Sequence, residues 1–328
     1  MRAALVRAAG AIECVEVPTP EPAPGQVLIK TVCASLCGSD LHHVFLPLPD
    51  ASFPCPHGYP GHEGVGEVVE SRAAGFAPGQ AVLTVPDIGH AGCFADYQVL
   101  GPEFLLPLDS DMASEHLVLA QPLGTVIFAL KRFLPAEIPE TAVVLGQGSI
   151  GLFFTWMLRQ RGVGRVIATE PLAHRRNLSK RYGAEVVLDP NADNVLDAVR
   201  DLTAGQGAGG GAALVIEAAG HDETRRQAVE MVARDGRVGL FGLPVKADMA
   251  AFPFNAFFRK RAEMMSHYGA QHEPDHASFR EALDLVTSGQ IDATPLISHR
   301  LPLDRIDKTF QIARNREEDV VKAVITFD

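Results

Sequence analysis

One stretch of sequence decides the fold of this 328-residue chain: Val143-Val144-Leu145-Gly146-Gln147-Gly148-Ser149-Ile150-Gly151-Leu152. A short apolar run leads into three glycines with the spacing G-x-G-x-x-G, and a helix-like pattern follows over Leu152–Arg159. A second apolar run comes next, at Arg165–Thr169. A glycine motif alone is a weak signal, but strand, turn, helix and strand in this order predict a β-α-β unit.

The alternation of strands and helices continues towards the C-terminus. Strand-like runs are Leu214–Ile216 and Arg237–Phe241, and helix-like stretches are Arg175–Tyr182, Asn194–Leu202 and Thr224–Ala233. Such alternation predicts a parallel sheet that is covered by helices on both faces. The first 110 residues differ, because short apolar runs are separated there by Pro and Gly clusters. We therefore expect an α/β protein with a doubly wound parallel sheet and a separate β-rich domain.

The glycines of this unit are typical of a dinucleotide site. The first permits a tight turn, the second lets the backbone approach a pyrophosphate, and the third lets helix and strand pack closely. The helix N-terminus then faces the phosphates with its partial positive charge. The predicted cofactor-binding residues of the turn are Gly146, Gly148, Ser149, Ile150 and Gly151. The alternative is a glycine turn in an α/β protein that binds no dinucleotide.

Glu170 closes the second strand of the unit. A carboxylate at this position accepts hydrogen bonds from both ribose hydroxyls and repels a 2′-phosphate, which favours NAD over NADP. Arg175 and Arg176 lie nearby in sequence and weaken this preference. The predicted cofactor site includes Arg175 and also Gly242, which follows the run Arg237–Phe241. The alternative for Glu170 is a solvated carboxylate at a strand end.

Composition and charge exclude several classes of protein. Hydrophobic residues make up 47% and charged residues 21%, which is a globular balance, and the formal net charge is −11. This charge argues against partners such as nucleic acid or an anionic membrane. No secretory signal is visible at the N-terminus, and the longest nearly apolar stretch, Leu117–Leu130, is too short to span a bilayer. We expect a cytoplasmic protein.

Thiols and imidazoles are concentrated in one part of the chain. The five cysteines, an odd number that argues against a disulfide framework, are Cys14, Cys33, Cys37, Cys55 and Cys93. Five of the 12 histidines lie between positions 42 and 90. This combination predicts metal or proton chemistry in that segment.

Two short segments carry the predicted metal site, Cys37-Gly38-Ser39-Asp40-Leu41-His42 and Gly61-His62-Glu63. A thiolate and an imidazole from separate loops suit Zn²⁺, and a catalytic zinc keeps one position open. The third protein ligand is either Glu63 or Gln121. Gln121 interrupts an apolar stretch, and a buried amide without a partner costs a few kcal/mol unless a metal or its water satisfies it. A helix-capping or backbone-bonded amide is the alternative for Gln121.

Ser39 and His42 follow the thiol at spacings that suit a proton relay. A hydroxyl beside the metal takes the proton of a bound alcohol, and His42 carries it towards solvent. The alternative for His42 is a surface histidine. Together the predicted catalytic residues are Cys37, Ser39, His42, His62 and Glu63.

With these motifs the sequence resembles the zinc-dependent medium-chain dehydrogenase/reductase family, which includes alcohol, sorbitol and threonine dehydrogenases. The resemblance covers essentially the whole chain and rests on CGSDLH (37–42), GHEGVGEV (61–68), GCFADY (92–97), GQGSIG (146–151), VIATE (166–170), VIEAAG (215–220) and VKAVITF (321–327). It implies a GroES-like catalytic domain over 1–122, a Rossmann dinucleotide-binding domain over 123–265, and a return to the catalytic domain over 266–328.

The resemblance also implies site residues and an activity. Zinc is expected on Cys37 and His62, completed by Glu63 or Gln121, and Lys322 is expected near the pyrophosphate. The stretch Gln121-Pro122-Leu123 resembles the polyol and sugar dehydrogenase branch. The expected reaction is hydride transfer between a secondary alcohol or polyol, or the matching ketone, and a nicotinamide cofactor. The alternatives are a zinc-free quinone or enoyl reductase of the same superfamily and a non-catalytic nucleotide-binding protein.

One departure from the family is large. Many relatives carry a structural zinc on four closely spaced cysteines, whereas the segment Val85–Cys93 contains only Cys93. We therefore expect one catalytic zinc per chain. The expected partners are a small alcohol or ketone and further copies of the chain in a dimer or tetramer, with no nucleic acid and no membrane.

Overall fold

The computed structural model describes residues 1–46, 51–206, 210–244 and 251–327. The chain divides into two compact units, one formed by Met1–Thr125 with Ala270–Asp328 and the other by Val126–Gly269. The first unit is therefore built from both ends of the chain, and the second from its middle. The boundaries expected from the sequence, after residues 122 and 265, lie within a few residues of these.

Within the described ranges the strands are β1 (Arg2–Ala8), β2 (Ala11–Glu16), β3 (Val27–Ser35), β4 (Gly64–Ser71), β5 (Ala81–Thr84), β6 (Tyr97–Leu100), β7 (Leu105–Pro107), β8 (Thr141–Leu145), β9 (Arg165–Thr169), β10 (Val186–Leu188), β11 (Ala212–Glu217), β12 (Val232–Leu240), β13 (Glu263–Ser266), β14 (Ile297–Pro302) and β15 (Lys322–Thr326). The helices are α1 (Gly38–Phe45), α2 (Ser114–Leu117), α3 (Ala120–Phe133), α4 (Ser149–Gln160), α5 (Ala173–Arg181), α6 (Val195–Leu202), α7 (Asp222–Met231), α8 (Phe254–Lys260), α9 (Ala277–Thr287) and α10 (Ile306–Asn315). None of these helices combines the length and hydropathy needed to cross a bilayer.

The middle unit contains a parallel sheet with the strand order β10-β9-β8-β11-β12-β13. Numbered within the unit, this is the order 3-2-1-4-5-6 of a doubly wound dinucleotide-binding fold, as the sequence predicts. The direction of winding reverses between β8 and β11, and ligands of such folds bind outside the carboxyl ends of the strands at this point. The predicted glycine turn follows β8 directly and therefore lies at this crevice.

The strands of this sheet read as continuous apolar runs because both of their faces are covered. Every residue of β8 is buried, and so is every residue of β9 except the first. The helix predicted over Thr224–Ala233 ends two residues earlier than expected, at Met231. Val232 leaves the helix because it pairs with Ala212 of β11 and begins β12.

The unit built from both chain ends contains an antiparallel-rich sheet in the order β14-β15-β3-β4-β5-β7, with β6 also paired to β3, and a hairpin of β1 and β2. The C-terminal strand β15 lies antiparallel to β3, with Val324 opposite Ser35 and Thr326 opposite Cys33. Phe94 and Phe310 pack edge to face in its core, with ring centroids 6.0 Å apart. The pairing of β15 with β3 brings residue 322 to the end of β3, where the CGSDLH segment begins.

Candidate active site

The thiol of the site stands at the start of α1. Cys37 is the last residue before the helix and has an extended backbone. Asp40, in the first turn, is wholly buried, and its Oδ2 accepts a hydrogen bond of 2.8 Å from the backbone N–H of Cys37. A carboxylate in the first helical turn that reaches back to the capping residue fixes the entry of the chain into the helix. The position of Cys37 is therefore set by Asp40.

The imidazole stands on the loop that leads into β4. A Cβ at Gly61 would lie 2.7 Å from the ring of Phe94, and one at Gly64 would lie 2.9 Å from Cβ of Cys93. Contacts this short exclude any side chain, so the glycines let the segment press against the core. His62, between them, keeps 14% of its side chain exposed.

The orientation of His62 is fixed through Nδ1. This nitrogen lies 3.1 Å from the carbonyl oxygen of Pro60 and 3.0 Å from Oδ1 of Asp40. A proton on this nitrogen would therefore lie within hydrogen-bond distance of both oxygens. With Nδ1 committed, Nε2 is left as the nitrogen available to a metal, which is the arrangement that metal-binding histidines adopt.

The structure brings three of the four predicted ligand residues together. Ligand atoms of Cys37, His62 and Glu63 all lie within 4.8 Å of one another, and the described residues contain no other such group of histidine, cysteine and carboxylate side chains. Sulfur, nitrogen and oxygen donors at this separation are a donor set that zinc accepts.

Glu63 is wholly buried and is held on one side only. Its Oε2 accepts hydrogen bonds from the hydroxyl of Ser35 and from Nζ of Lys322, the latter at 2.5 Å. Its Oε1 is buried without a hydrogen-bond partner. An unsatisfied carboxylate oxygen is costly in a protein interior, and a bound cation would satisfy it. The residues present therefore fit a metal ion.

The electrostatics of this cluster are strongly coupled. Burial alone would lower the pKa of His62, but the charge of Asp40 and the hydrogen bonds to Asp40 and Cys37 raise it well above its ordinary value. Burial also opposes the charge of Lys322, whose pKa is nevertheless raised by Glu63. Lys322 thus acts in this unit as the counter-ion of Glu63, and its predicted place beside a pyrophosphate stays a prediction.

Gln121, the alternative third ligand, is the second residue of α3 and is 1% exposed. Its Nε2 is buried and has no hydrogen-bond partner. Because the amide has two polar ends related by a half rotation, either end can be presented at this position. A metal ion or a metal-bound water beside Gln121 would satisfy this buried amide.

Ser39 and His42 lie on α1, three residues apart and therefore on one face of the helix. Both side chains are half-buried. The predicted relay pair therefore shares a face of the helix that Cys37 caps.

The glycine turn of the middle unit is shaped by two close approaches. Gly146 has a φ of +89°, and a Cβ on Gly151 would lie 1.9 Å from the carbonyl oxygen of Gly146. Gly148 caps α4, and a Cβ there would meet only Nη1 of Arg175, at 3.8 Å. Gly148 thus leaves an open cradle beside a guanidinium and before a helix N-terminus, which suits a phosphate group.

Glu170 is more deeply engaged than the sequence suggests. It is 4% exposed, and its carboxylate accepts hydrogen bonds from the backbone N–H groups of Gln147, at 2.8 Å, and Leu172, at 3.1 Å. Arg176 donates to the carbonyl oxygens of Glu170 and Pro171. Glu170 therefore braces the glycine turn, and Arg176 braces the turn after β9.

Glu217 is a further residue of this crevice that sequence reasoning missed. It ends β11, and its Oε1 accepts hydrogen bonds from the N–H groups of Ala219 and Gly220 and from the hydroxyl of Thr224. A Cβ on Gly242 would lie 2.2 Å from the backbone nitrogen of Gly220. Burial raises the pKa of the Glu217 carboxyl. The predicted Gly242 thus packs against a turn that Glu217 holds.

Two family models match the chain, one within the first unit and one over most of the middle unit and the start of the C-terminal return. The model described as alcohol dehydrogenase GroES-like domain matches residues 23–110, and the model described as zinc-binding dehydrogenase matches residues 149–288. Together these matches span well over half of the chain and include the cluster of Cys37, His62 and Glu63 and the last three residues of the glycine turn, 149–151.

The chain belongs to the zinc-dependent medium-chain dehydrogenase/reductase family.

Known members of the family match this one over nearly its full length. The L-threonine 3-dehydrogenase of Bacillus subtilis is 28% identical over 341 residues, which cover 95% of each chain. The structure of 2R,3R-butanediol dehydrogenase from Bacillus subtilis matches with a TM-score of 0.83 and 23% identity, covering 100% of this chain and 99% of the other. A Sinorhizobium meliloti 1021 structure with NADP bound matches with a TM-score of 0.85 and 24% identity, covering 99% of both chains.

The fold class, the GroES-like and Rossmann architecture and the enzyme class predicted from the sequence are confirmed. This member of the medium-chain dehydrogenase/reductase family is a zinc-type oxidoreductase of alcohols that uses a nicotinamide cofactor.

Asp40 is the site residue that the sequence argument passed over. It contacts both Cys37 and His62, and so it positions two of the predicted metal ligands. The available signal was a carboxylate in the first turn of a helix that begins after a thiol. Carboxylates that orient metal-binding histidines are a recurring feature of zinc sites.

The glycine turn yields a first prediction. Gly151→Ala places a methyl group against the carbonyl oxygen of Gly146, and we expect it to destabilise the protein by at least about 2 kcal/mol in denaturant unfolding. The matched control is Gly148→Ala, which meets no backbone. It should lower stability by less than about 1 kcal/mol, yet weaken nicotinamide cofactor binding about tenfold by filling the cradle. Equal stabilities for the two variants would contradict this account.

A second prediction concerns Asp40. Asp40→Asn removes the charge that faces His62 while keeping the shape of the side chain. We expect zinc affinity, measured by competition with a chelator, to fall about 10- to 100-fold. Glu67→Gln removes a charge from an exposed position on β4 and is the control, for which zinc affinity should be unchanged. Unchanged zinc affinity in Asp40→Asn would show that the carboxylate does not position the ligands.

Proposed function

We propose that this enzyme oxidises a secondary alcohol or polyol, or reduces the matching ketone, at a zinc ion held by Cys37 and His62 with NAD as the preferred cofactor. The observation that supports this most directly is the cluster of Cys37, His62 and Glu63, together with the unpartnered Oε1 of Glu63. A zinc-free reductase of the superfamily has no use for a thiol and an imidazole held at this separation.

Zinc, when bound, supplies a Lewis acid that polarises the oxygen of the substrate, and the nicotinamide supplies the hydride acceptor. The protein's own part is to orient the alcohol and to remove its proton. In this proposal Ser39 accepts that proton through its hydroxyl and His42 passes it towards solvent. Their shared face on α1 and their half-buried positions support these roles.

The third ligand is either Glu63 or Gln121. For Glu63 the support is its place in the cluster and an Oε1 that nothing else engages. For Gln121 the support is a buried amide with an unmet polar atom. Lys322 offsets the charge of Glu63. If Glu63 bound the metal, it would therefore lower the Lewis acidity of the metal less than a carboxylate without a counter-ion would.

The alcohol class is supported by the curated relatives, which are named for oxidation of a secondary alcohol, L-threonine, at carbon 3. A cytoplasmic location and assembly into a dimer or tetramer belong to the same proposal. The assembly rests on the family resemblance.

The experiment that tests the metal assignment compares two cysteine variants. Cys37→Ala should lose the single zinc per chain by elemental analysis and should lose alcohol oxidation, while circular dichroism and NAD binding stay close to wild type. These properties should separate because the ligand cluster and the glycine turn belong to different units. Cys55→Ala, the control, should keep both zinc and activity. Two tightly held zinc ions per wild-type chain, or an active Cys37→Ala, would overturn the proposal.

Cofactor choice gives a further prediction. A 2′-phosphate beside Glu170 meets a like charge in a partly desolvated crevice, which costs several kcal/mol. We expect kcat/KM to favour NAD over NADP by at least about tenfold. Glu170→Gln should shrink this ratio, because the charge is lost while one acceptor oxygen remains for the N–H of Gln147.

The control for Glu170 is Glu185→Gln, which neutralises an exposed carboxylate of the same unit that pairs with Arg165. It should leave the NAD to NADP ratio unchanged. A wild-type enzyme that prefers NADP would refute the role assigned to Glu170, and so would a Glu170→Gln variant with an unaltered ratio.

A further inference from the structure

A second concave site lies in the middle unit, away from the glycine turn. It is an open cavity of about 480 Å³. Gly211, which precedes β11, and Met231, which precedes β12, both line it. The cavity therefore stands at the amino ends of strands whose carboxyl ends form the dinucleotide crevice. It is a different place from the site proposed for the cofactor.

The wall of the cavity is apolar where α6 and α7 meet. Leu196, Val199 and Met231 line it there; Leu196 is half-buried, whereas Val199 and Met231 lie beneath the surface and are almost wholly buried. Small-molecule sites commonly combine such apolar surface with a few polar groups, in cavities of this size. The apolar wall is suited to an organic group rather than to a bare ion.

The rest of the lining is cationic. Arg200, Arg234, Arg259 and Lys260 surround the cavity, against one acidic residue, Glu230. This concentration is unusual in a chain with a net charge of −11. Glu230 is moreover bound to Arg226, at 2.6 Å, so its charge is largely compensated from outside the cavity. The cavity therefore carries an excess of positive charge.

Most hydrogen-bond partners of these cations are neutral groups, so they do not cancel the positive charge of the cavity. Lys260 donates from Nζ to the carbonyl oxygens of Glu230 and Val232, at 2.5 and 2.6 Å, which anchors its ammonium but leaves its charge unpaired. Arg259 donates to the neutral amide of Asn255. Arg234 makes no ion pair with any described residue, and only Arg200 has a carboxylate partner, Asp197.

Burial disfavours the charge of Lys260 and lowers its pKa; among the neighbouring charges, Glu230 raises this pKa and Arg200 lowers it less. An anion placed among the guanidinium groups that line the cavity would gain charge-assisted hydrogen bonds from them, and their geometry suits phosphate.

We propose that this cavity binds a small organic phosphate, with its phosphate group among Arg234, Arg259 and Lys260 and its organic group against Leu196. The site would be separate from the catalytic centre and from the dinucleotide crevice. Its ligand class is a phosphate ester, because the apolar wall would be left unused by inorganic phosphate.

The test is calorimetric titration of the zinc-loaded enzyme saturated with NADH, so that the dinucleotide crevice is already filled. The probes are phenyl phosphate and inorganic phosphate. We expect one phenyl phosphate per chain and at least about threefold weaker binding of inorganic phosphate. Arg234→Gln and Arg259→Gln, both at exposed positions, should each weaken phenyl phosphate about tenfold.

The matched control is Arg261→Gln. Arg261 is exposed, follows Lys260 in sequence and pairs with Asp235 instead of lining the cavity. Its removal changes the net charge equally and should leave phenyl phosphate binding within about twofold of wild type. The proposal is overturned if NADH abolishes binding, if all three variants weaken it equally, or if neither probe binds.

Discussion

A single buried carboxylate holds the two halves of the metal site together. Asp40 accepts a hydrogen bond from the backbone of Cys37 and faces Nδ1 of His62, so it links the segment after β3 to the segment before β4. A thiol and an imidazole bind a metal well only if their separation is fixed before the metal arrives. Because Asp40 is wholly buried, water does not compete for either contact. The geometry of the whole cluster depends on this side chain.

The second constraint is the pairing of opposite charges beneath the cluster. Glu63 and Lys322 are both buried, and each would be unfavourable there alone. Their attraction, with the hydroxyl of Ser35, fixes Oε2 of Glu63, while Oε1 stays without a hydrogen-bond partner in the cluster with Cys37 and His62. In many metal sites a hydrogen-bond partner that does not itself bind the metal orients a ligating carboxylate, and Lys322 is placed to do this for Glu63.

Much of this arrangement could be predicted from the sequence. The glycine spacing and its flanking strands predicted the dinucleotide fold, and the concentration of thiol and imidazole residues predicted a cluster that the structure brings together in Cys37, His62 and Glu63. The pair of Glu63 and Lys322 could not be predicted by spacing, because it depends on the long-range register of β15 against β3. Asp40 and Glu217 were missed because carboxylates in turns are common, and only burial distinguishes these two. Glu170 was expected to face a ribose, whereas its backbone contacts also brace the glycine turn.

The position of β15 has a consequence for biosynthesis. This strand lies inside its sheet, between β14 and β3, yet it follows every other described strand of that sheet in sequence. The middle unit is continuous in sequence and has all of its strands before that point, so it can fold first as the chain emerges. Until translation reaches residue 322, the end of β3 at Cys33–Ser35 lacks its partner strand and Glu63 lacks its counter-ion. The nascent chain can therefore form its dinucleotide fold before Glu63 gains its counter-ion, and a ribosome that stalls late leaves the cluster of Cys37, His62 and Glu63 without Lys322.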